Sequence, residues 1–382
     1  MQKVLLRALV ALVVAAAAVL VGWRVLAPAE VLAVVKSPEP AVHQANPGVT
    51  GHLPIAPLIV DDRIRVYASK RQIRADAPVD AKTVYTAIWS FRRWPQQLSG
   101  VVAVGPTVIS RWSDGELVAI DGRTGTIAWR ASGPPAPGYS GHRTGAGSVW
   151  RPAGLHVAGD VVLVSGPSQA DAYVASTGTR LWSAAGLCAD GFTAGGGRYI
   201  CPSGAFDTAT GGAVGSFPAG PYTPLGCDVA ASGCAGLRDG SGRGWLTDGS
   251  TPVRAPALDA AGSTVALGLV FQPAADALVA VDPVSGAAVR RYPAGAQVLG
   301  VAGQQVVLLT ADRQVMVVSP RDGTVRATFT AAFGTELPNF DVGGVQVTSR
   351  YLAVERLAVS RPADPDTPGY YYSVDTVLMA AI

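Results

Sequence analysis

The four cysteines of this 382-residue chain are the side chains whose type and spacing suggest chemistry most directly. Thiolates can hold zinc, but the chain has no Cys-x-x-Cys pair, and its histidines (His43, His52, His142 and His156) lie outside the cysteine-containing segment. Thiols in an exported chain more often form disulfides, and four cysteines allow three pairings. We predict the local pairs Cys188–Cys201 and Cys227–Cys234, because each encloses a glycine-containing turn that brings its ends together.

Other polar clusters have residue types that can catalyse a reaction or bind a ligand, but not the required spacing. Ser140 and His142 are sequence neighbours, which rarely have the geometry of a catalytic triad. Isolated pairs of carboxylates are more typical of solvated turns than of calcium sites. We therefore predict no catalytic, cofactor-binding or metal-binding residue, and interpret the following as turns or surface features: Asp61-Asp62, Asp364 and Asp366, Gly195-Gly196-Gly197, and the aromatic run Tyr370-Tyr371-Tyr372.

The amino terminus predicts export. An uncharged run from Ala8 to Trp23 follows Lys3 and Arg7 and precedes Arg24. Extended to Ala27, it approaches the ~20 residues that cross a membrane, and the positive charge before it favours a cytoplasmic N-terminus. We predict that residues 1–27 form one transmembrane helix. A cleaved signal peptide is the alternative, because Ala27-Pro28-Ala29 resembles a cleavage site.

The region after this helix is rich in proline. Pro38, Pro40, Pro47, Pro54 and Pro57 follow within thirty residues, and such density disfavours both helices and sheet ladders. Residues 28–57 are therefore predicted to be a linker, and residues 58–382 a single domain.

One phrase recurs through that domain: a hydrophobic strand, an Asp or Ser, a turn ending in Gly, and a second strand ending near an aromatic residue. Its clearest copy runs from Leu117 to Trp129. The phrase predicts a β-hairpin, since Asp caps the turn and Gly supplies the positive φ that reverses the chain. The structural residues predicted across the copies are Asp121, Gly125, Trp129, Gly178, Trp182, Asp207, Gly211, Asp282, Gly286 and Gly323.

Hairpins at this period predict an all-β fold, a β-propeller of four-stranded blades. The closing aromatic residues are separated by 40, 53, 35, 75 and 37 residues, and a blade takes ~40–45. We expect seven blades, with eight as the alternative, and ring closure by a strand near Arg63–Tyr67 pairing with the last strands. The closing aromatics are Trp89, Trp129, Trp182, Phe217, Tyr292 and Phe329.

The phrase from Val118 to Trp129, and in part that from Tyr173 to Trp182, resembles the PQQ-like repeat of quinoprotein-type β-propellers. Quinoprotein dehydrogenases of that family hold their cofactor over adjacent, disulfide-linked cysteines. No two cysteines are adjacent here. The resemblance therefore implies the fold without the quinone, and we predict no cofactor.

The charge composition limits the classes of partner that the chain can bind. Lys+Arg 30 against Asp+Glu 27 gives a net charge of +3, and no basic run exists that would follow a phosphate backbone. We exclude nucleic acid and expect a protein or cell-envelope ligand on a propeller face, with membrane attachment through the N-terminal helix. The predicted location is the cell membrane, single-pass, with the propeller extracytoplasmic.

The sequence favours a binding or scaffolding module over an enzyme; an exported propeller-type enzyme, a quinoprotein-like oxidoreductase or a hydrolase, is the alternative.

Overall fold

The computed structural model describes residues 2–36, 38–43, 45–80, 87–188, 190–215, 217–249 and 251–382. Among the described residues, two α-helices lie outside the sheets: α1 (Gln2–Leu26), of 25 residues, at the amino terminus, and the single turn α2 (Ala146–Val149). Within the described residues, no helix is both long and apolar enough to cross a membrane. The transmembrane span predicted for residues 1–27 is thus not among the features found.

Two strands lie in the segment predicted to be a Pro-rich linker. These are β1 (Ala29–Val34) and β2 (Gly48–Leu53). Strand β1 pairs along its whole length with a strand of the first blade, and β2 pairs with the last strand of the chain. The five prolines lie outside both strands. The prolines therefore leave the N–H groups of both strands free to form sheet hydrogen bonds. The number of prolines alone did not reveal this, so the prediction that residues 28–57 are only a linker was wrong for these two strands.

The remaining strands follow one another around a ring. Eight sheets form from the described residues, where seven were expected, and the alternative of eight blades is the right one. Blade one comprises β3 (Pro57–Val60), β4 (Ile64–Ser69), β5 (Gln72–Asp76) and β6 (Ala87–Trp94), and blade two comprises β7 (Leu98–Val104), β8 (Thr107–Trp112), β9 (Glu116–Asp121) and β10 (Ile127–Ser132). Blade three comprises β11 (Leu155–Ala158), β12 (Val161–Ser165), β13 (Gln169–Val174) and β14 (Arg180–Ala185). Blade four comprises β15 (Phe192–Ala194), β16 (Arg198–Cys201) and β17 (Gly204–Asp207).

Blades five to eight continue the same order. Blade five comprises β18 (Thr223–Leu225), β19 (Gly236–Arg238), β20 (Gly244–Leu246) and β21 (Val253–Arg254), and blade six comprises β22 (Thr264–Ala266), β23 (Leu269–Pro273), β24 (Ala277–Val281) and β25 (Ala288–Pro293). Blade seven comprises β26 (Gln297–Ala302), β27 (Gln305–Leu309), β28 (Gln314–Val318) and β29 (Val325–Thr330). Blade eight comprises β30 (Asp341–Val347), β31 (Tyr351–Leu357) and β32 (Val377–Ala381), together with β2.

Blade number was underestimated because blades four and five are small. Their strands are two to four residues long, so both fit between Phe192 and Arg254. Blade four is a three-stranded sheet, extended by a single bridge between Phe206 and Ala213. Dividing the length of the domain by ~40–45 residues per blade therefore gives seven blades instead of eight.

The ring is closed by a strand from the amino terminus. Strand β2 forms the outer strand of blade eight, in the order β2-β32-β31-β30. The strand near Arg63–Tyr67, expected to close the ring, is instead β4 inside blade one. Closure by β2 pairs the edge of β32 that would otherwise be free to aggregate.

The first strand of each blade is the innermost. First strands of successive blades contact each other, as β3 does β7, β7 does β11, and β26 does β30. Connections between blades, and the turn between the second and third strands of each blade, lie on one face, which we call the between-blade face. Two long segments cover it: residues 133–154 after blade two and residues 358–376 between β31 and β32.

The repeat phrase locks neighbouring blades together. The indole N–H of Trp129 donates to the carbonyl oxygen of Ala175 at 2.8 Å, and the ring lies against Gly178 of the next blade. A Cβ on Gly178 would approach the ring to 2.5 Å. Trp89 and Trp182 repeat the arrangement with Gly125 and Gly211.

The closing aromatics expected in the last blades do not take part in this lock. Arg290 occupies the position of the tryptophan, donates to the carbonyl oxygen of Pro320 at 3.2 Å and covers Gly323. Tyr292, two residues after Arg290, stacks on Phe271 instead, and Phe329 packs against the core of the last two blades. A planar guanidinium that can donate hydrogen bonds therefore replaces the indole.

Candidate binding site on the between-blade face

Both predicted disulfides are present, Cys188–Cys201 and Cys227–Cys234, and none of the described cysteines is free. The second closes a loop between β18 and β19, residues 226–235, which we call the channel loop. Ala230 and Ala231 within it have φ of 60° and 45°, the left-handed region that side chains with a Cβ disfavour. Contacts with the surrounding blades must therefore hold this conformation.

The channel loop extends from blade five into the central channel of the propeller. It belongs to blade five, yet the N–H of Ala230 donates to the carbonyl oxygen of Trp150, which follows blade two. The N–H of Cys234 donates to the carbonyl oxygen of Thr193 in blade four at 2.9 Å. Blades two and five are three places apart in the ring of eight, so this hydrogen bond spans part of the central channel.

Trp150 fills the other side of the same channel. It is 2% exposed, and its indole N–H donates to the carbonyl oxygen of Pro57 in blade one at 2.8 Å. Its ring lies against Gly344 of blade eight, where a Cβ would approach to 2.4 Å. Nothing in the sequence singled out Trp150, since it belongs to no repeat copy.

What remains of the channel is a cavity of about 670 Å³ between the channel loop and strands β26 and β30. Asp228 is the one carboxylate among the described residues that line it, and desolvation raises its pKa. Among the described residues, no group of three or more His, Cys, Asp or Glu side chains is placed to hold a metal ion.

A second cavity of about 480 Å³ lies beside the channel loop and opens on the between-blade face. Its walls come from blades three, four and five and are mostly apolar, including Phe192, Ile200 and Pro221. Apolar cavities of this size with a few placed polar groups are typical ligand sites. We call it the side cavity.

His156 is the buried polar residue of the side cavity, and it is 5% exposed. Its Nδ1 lies 3.0 Å from the carbonyl oxygen of Ala230, an acceptor, so Nδ1 carries the proton. Desolvation lowers the pKa of His156, with a further contribution from Arg111, which favours the neutral ring. Its Nε2 is buried and has no partner among the described residues, and leaving such an acceptor unpaired costs about 1–3 kcal/mol.

An exposed apolar patch lies on the same face over blades seven and eight. It consists of Phe333, Leu337, Val359 and Val374, of which Leu337 is 85% exposed. The connection 331–340 and the segment 358–376 contact each other, since the Tyr372 hydroxyl donates to the carbonyl oxygen of Leu337 at 2.8 Å. Exposed apolar side chains gathered on neighbouring segments of one face are candidates for an interaction surface.

The tyrosine run is built into this face rather than protruding from it. Each ring is half-buried and faces a guanidinium at 4.3–6.0 Å: Tyr370 with Arg361, Tyr371 with Arg143, and Tyr372 with Arg356. Such contacts are worth ~0.5–2 kcal/mol each. They fasten the segment 358–376 to its neighbours and thereby position the patch.

The other polar clusters form links within the fold. His142 faces the exposed carboxylate of Asp366 at 3.2 Å. Asp61 pairs with Arg63 and Arg123, whereas Asp62 accepts hydrogen bonds from Thr348 and Ser349 of blade eight. Gly196 and Gly197 have φ of 70° and 69° in the turn between β15 and β16, which agrees with their interpretation as a turn.

Comparisons with known proteins agree with the repeat. The family model PQQ_2, described as outer membrane protein assembly factor BamB, matches residues 20–194. No curated protein matches the chain.

Several solved structures are similar in fold. BamB from Moraxella catarrhalis is 15% identical, with 89% of this chain and 99% of that chain covered and a TM-score of 0.42. A europium-containing methanol dehydrogenase is 14% identical, with 92% and 93% covered and a TM-score of 0.43. The C-terminal WD40 domain of Sif2 is 11% identical, with 92% and 98% covered and a TM-score of 0.46. The repeat phrase, the eight blades and the family match agree, and the matched part of this chain belongs to the PQQ-like β-propeller repeat family.

Proposed function

We propose that this chain is an extracytoplasmic propeller that binds another protein on its between-blade face and holds it without catalysing a reaction. The observation that carries the proposal is the occupation of the axial channel by Trp150 and the channel loop. A protein is too large for the cavity of about 670 Å³ that remains in the channel, so it would meet the chain at the face, where the apolar patch is exposed and the side cavity opens. A family model named for an assembly factor also favours a binding role.

The patch is suited to a protein partner. Phe333, Leu337, Val359 and Val374 are 46–85% exposed, and burying such side chains against a partner removes apolar surface from water. Arginines at its border, Arg143 and Arg361, are already paired with tyrosine rings. Preordered side chains of this kind lose little conformational freedom on binding, which favours affinity.

Export is part of the proposal. All four cysteines are paired, which is typical of proteins outside the reducing cytoplasm. Residues 1–27 would direct export, as a retained anchor or as a cleaved signal peptide. An alkaline wash of isolated membranes distinguishes the two, since only a retained anchor keeps the full-length chain in the pellet, and protease treatment of spheroplasts tests the side of the membrane.

Crosslinking and pull-down from native membranes tests the binding face. The Leu337→Glu variant places a charge in the patch and is expected to lower partner capture at least about tenfold. Val284→Glu is the matched control: Val284 is 61% exposed in a turn between the last two strands of blade six, on the opposite face. Equal capture by both variants would contradict the assigned face.

The alternative, an exported enzyme of quinoprotein or hydrolase type, requires a reacting group in the channel. Asp228 is the carboxylate available there among the described lining residues. Turnover of a quinone- or glycan-type substrate that Asp228→Asn abolishes, with no protein captured, would favour the enzyme over the binding module.

A further inference from the structure

We propose that the junction between helix α1 and blade one binds an anionic phospholipid, with its phosphate held by Arg24 and Arg92. The inference rests on the proposed export, which brings the amino terminus to a membrane, and goes beyond it by assigning a lipid site to the propeller itself. The site shares no residue with the apolar patch or with the side cavity.

Helix α1 presents apolar side chains that the rest of the described chain leaves uncovered. It has no charged residue between Ala8 and Trp23, and its large apolar side chains from Leu9 to Leu20 are 53–72% exposed. Consecutive helix residues are turned by about 100°, so these side chains point all round the helix. A protein partner covers one face of a helix, whereas acyl chains cover the whole circumference. The side chains are Leu9, Val10, Leu12, Val13, Val14, Val19 and Leu20.

Helix α1 ends close to blade one because the connection between them is short. The helix ends at Leu26 and strand β1 begins at Ala29, a reach of at most about 11 Å. Strand β1 is in turn paired along its whole length with β6. A lipid surface around the end of α1 therefore reaches the outer edge of blade one.

A cavity of about 440 Å³ lies at this junction, and we call it the junction cavity. One wall comes from the end of α1 and the residue after it, and the other comes from β1 and β6. The four strand residues lie on one face of the sheet, since they form two pairs of the β1–β6 ladder two residues apart. An apolar wall beside basic groups suits a ligand with acyl chains and an anionic headgroup. The lining residues are Arg24, Ala27, Ala29, Val31, Arg92 and Trp94.

The two arginines of the junction cavity have no counter-ion in the described part of the chain. Arg24 and Arg92 are both exposed, and neither makes an ion pair or a side-chain hydrogen bond there. By contrast, Arg63, Arg74 and Arg93 of blade one each pair with a carboxylate. No carboxylate is among the described residues that line the cavity. A phosphate between the two guanidinium groups offsets their repulsion and accepts their paired N–H groups.

Trp94 adds a ring suited to the boundary between lipid headgroups and acyl chains. An indole has an apolar body and a polar N–H, and tryptophans are enriched at that boundary. The guanidinium of Arg71 lies 4.1 Å from the centroid of the Trp94 ring. This contact orders the ring before a lipid binds, and it brings a third positive charge to the junction.

Native mass spectrometry of the full-length chain in detergent micelles tests the site. The micelles contain dioleoyl phosphatidylglycerol and dioleoyl phosphatidylcholine in equal amounts, so the two probes differ only in the headgroup and its net charge. We expect phosphatidylglycerol to be retained at least about tenfold more than phosphatidylcholine, because no choline offsets its phosphate. Inorganic phosphate at millimolar concentration should not displace the lipid, since the acyl chains also contribute to binding.

Substitutions of the two arginines locate the lipid. Arg92→Gln should lower retention of phosphatidylglycerol at least about fivefold and leave phosphatidylcholine unchanged, and Arg24→Gln should do the same. Both arginines are exposed, so neither substitution alters the core. Arg151→Gln is the matched control, since Arg151 is also exposed and without a partner among the described residues but lines the side cavity.

Four outcomes would overturn the lipid site. These are equal retention of the two lipids, a loss in Arg151→Gln as large as in Arg92→Gln, displacement by inorganic phosphate, and a dimer that carries no phospholipid. The last outcome would show that a second copy of the chain covers α1.

This test and those of the proposed function fail separately. If protease treatment of spheroplasts finds the chain outside and both lipids are retained equally, the lipid site is overturned and export stands. If phosphatidylglycerol is retained preferentially by a chain that captures no protein, the lipid site stands and the binding face is overturned.

Discussion

At the scale of single residues, the repeat phrase has two functions. Its Asp shapes the turn: Asp121 Oδ1 accepts from the N–H groups of Arg123 and Thr124 at 2.8 and 3.0 Å. Its Gly and Trp connect one blade to the next, as Trp129 does with Gly178. The phrase therefore encodes the spacing between blades as well as the hairpin.

A matched pair of substitutions separates the two functions of the glycine. Gly178 and Gly286 both have φ of 71°, but a Cβ would contact Trp129 at the first and nothing within 4 Å at the second. Gly286→Ala should cost about 1–2 kcal/mol in free energy of unfolding, the cost of a left-handed residue with a Cβ. Gly178→Ala should cost clearly more, because the ring must also move. Denaturant titration measures both, and equal losses would show that the lock contributes nothing.

At the scale of elements, the channel loop is the part that distinguishes this propeller from a simple ring. Its disulfide brings together the ends of a short segment whose backbone makes hydrogen bonds to Trp150 and to blade four. The left-handed residues Ala230 and Ala231 indicate that tertiary contacts, not local preference, fix the loop.

Removal of each disulfide should have different structural effects. In the chain-entropy model, loops of this size gain about 2–3 kcal/mol from closure, so Cys227→Ser/Cys234→Ser and Cys188→Ser/Cys201→Ser should lose comparable stability. Only the first should raise amide hydrogen exchange at Ala230 and around Trp150, because only it releases the channel loop. Unchanged exchange there would mean that the contacts hold the loop without its disulfide.

At the scale of the whole molecule, ring closure depends on a segment distant in sequence from the last blade. Strand β2 pairs with β32, and Leu53 at its end is 2% exposed. Strand β1 adds a fifth strand outside blade one, where Glu30 pairs with Arg93 and Arg130. Its residues are exposed throughout.

Three truncations should rank these contributions. A chain of residues 29–382 should unfold like the full chain, and one of residues 36–382, lacking β1, should lose a few degrees in Tm. A chain of residues 54–382 lacks β2, leaves the edge of β32 unpaired and should aggregate or lose its cooperative transition. Thermal unfolding followed by circular dichroism checks the order, and a stable 54–382 chain would contradict closure by β2.

The sequence by itself determined the hairpin phrase, the propeller class and the pairing of the cysteines, because each depends on residues close together in the chain. Asp121 and Gly125 shape one turn, and Cys227 and Cys234 enclose another. Turns of this kind can be predicted from the local sequence alone, without knowing which residues pack against them.

Only the tertiary structure decided the blade number, the closing strand and the binding face. Blades four and five are too short for their repeats to be counted, and β2 finds its partner more than 300 residues away. Trp150, His156 and Leu337 carry no motif; their roles follow from the channel, cavity and patch that distant blades form around them. The physical reason is that a burial environment belongs to the assembled ring and not to any one segment of it.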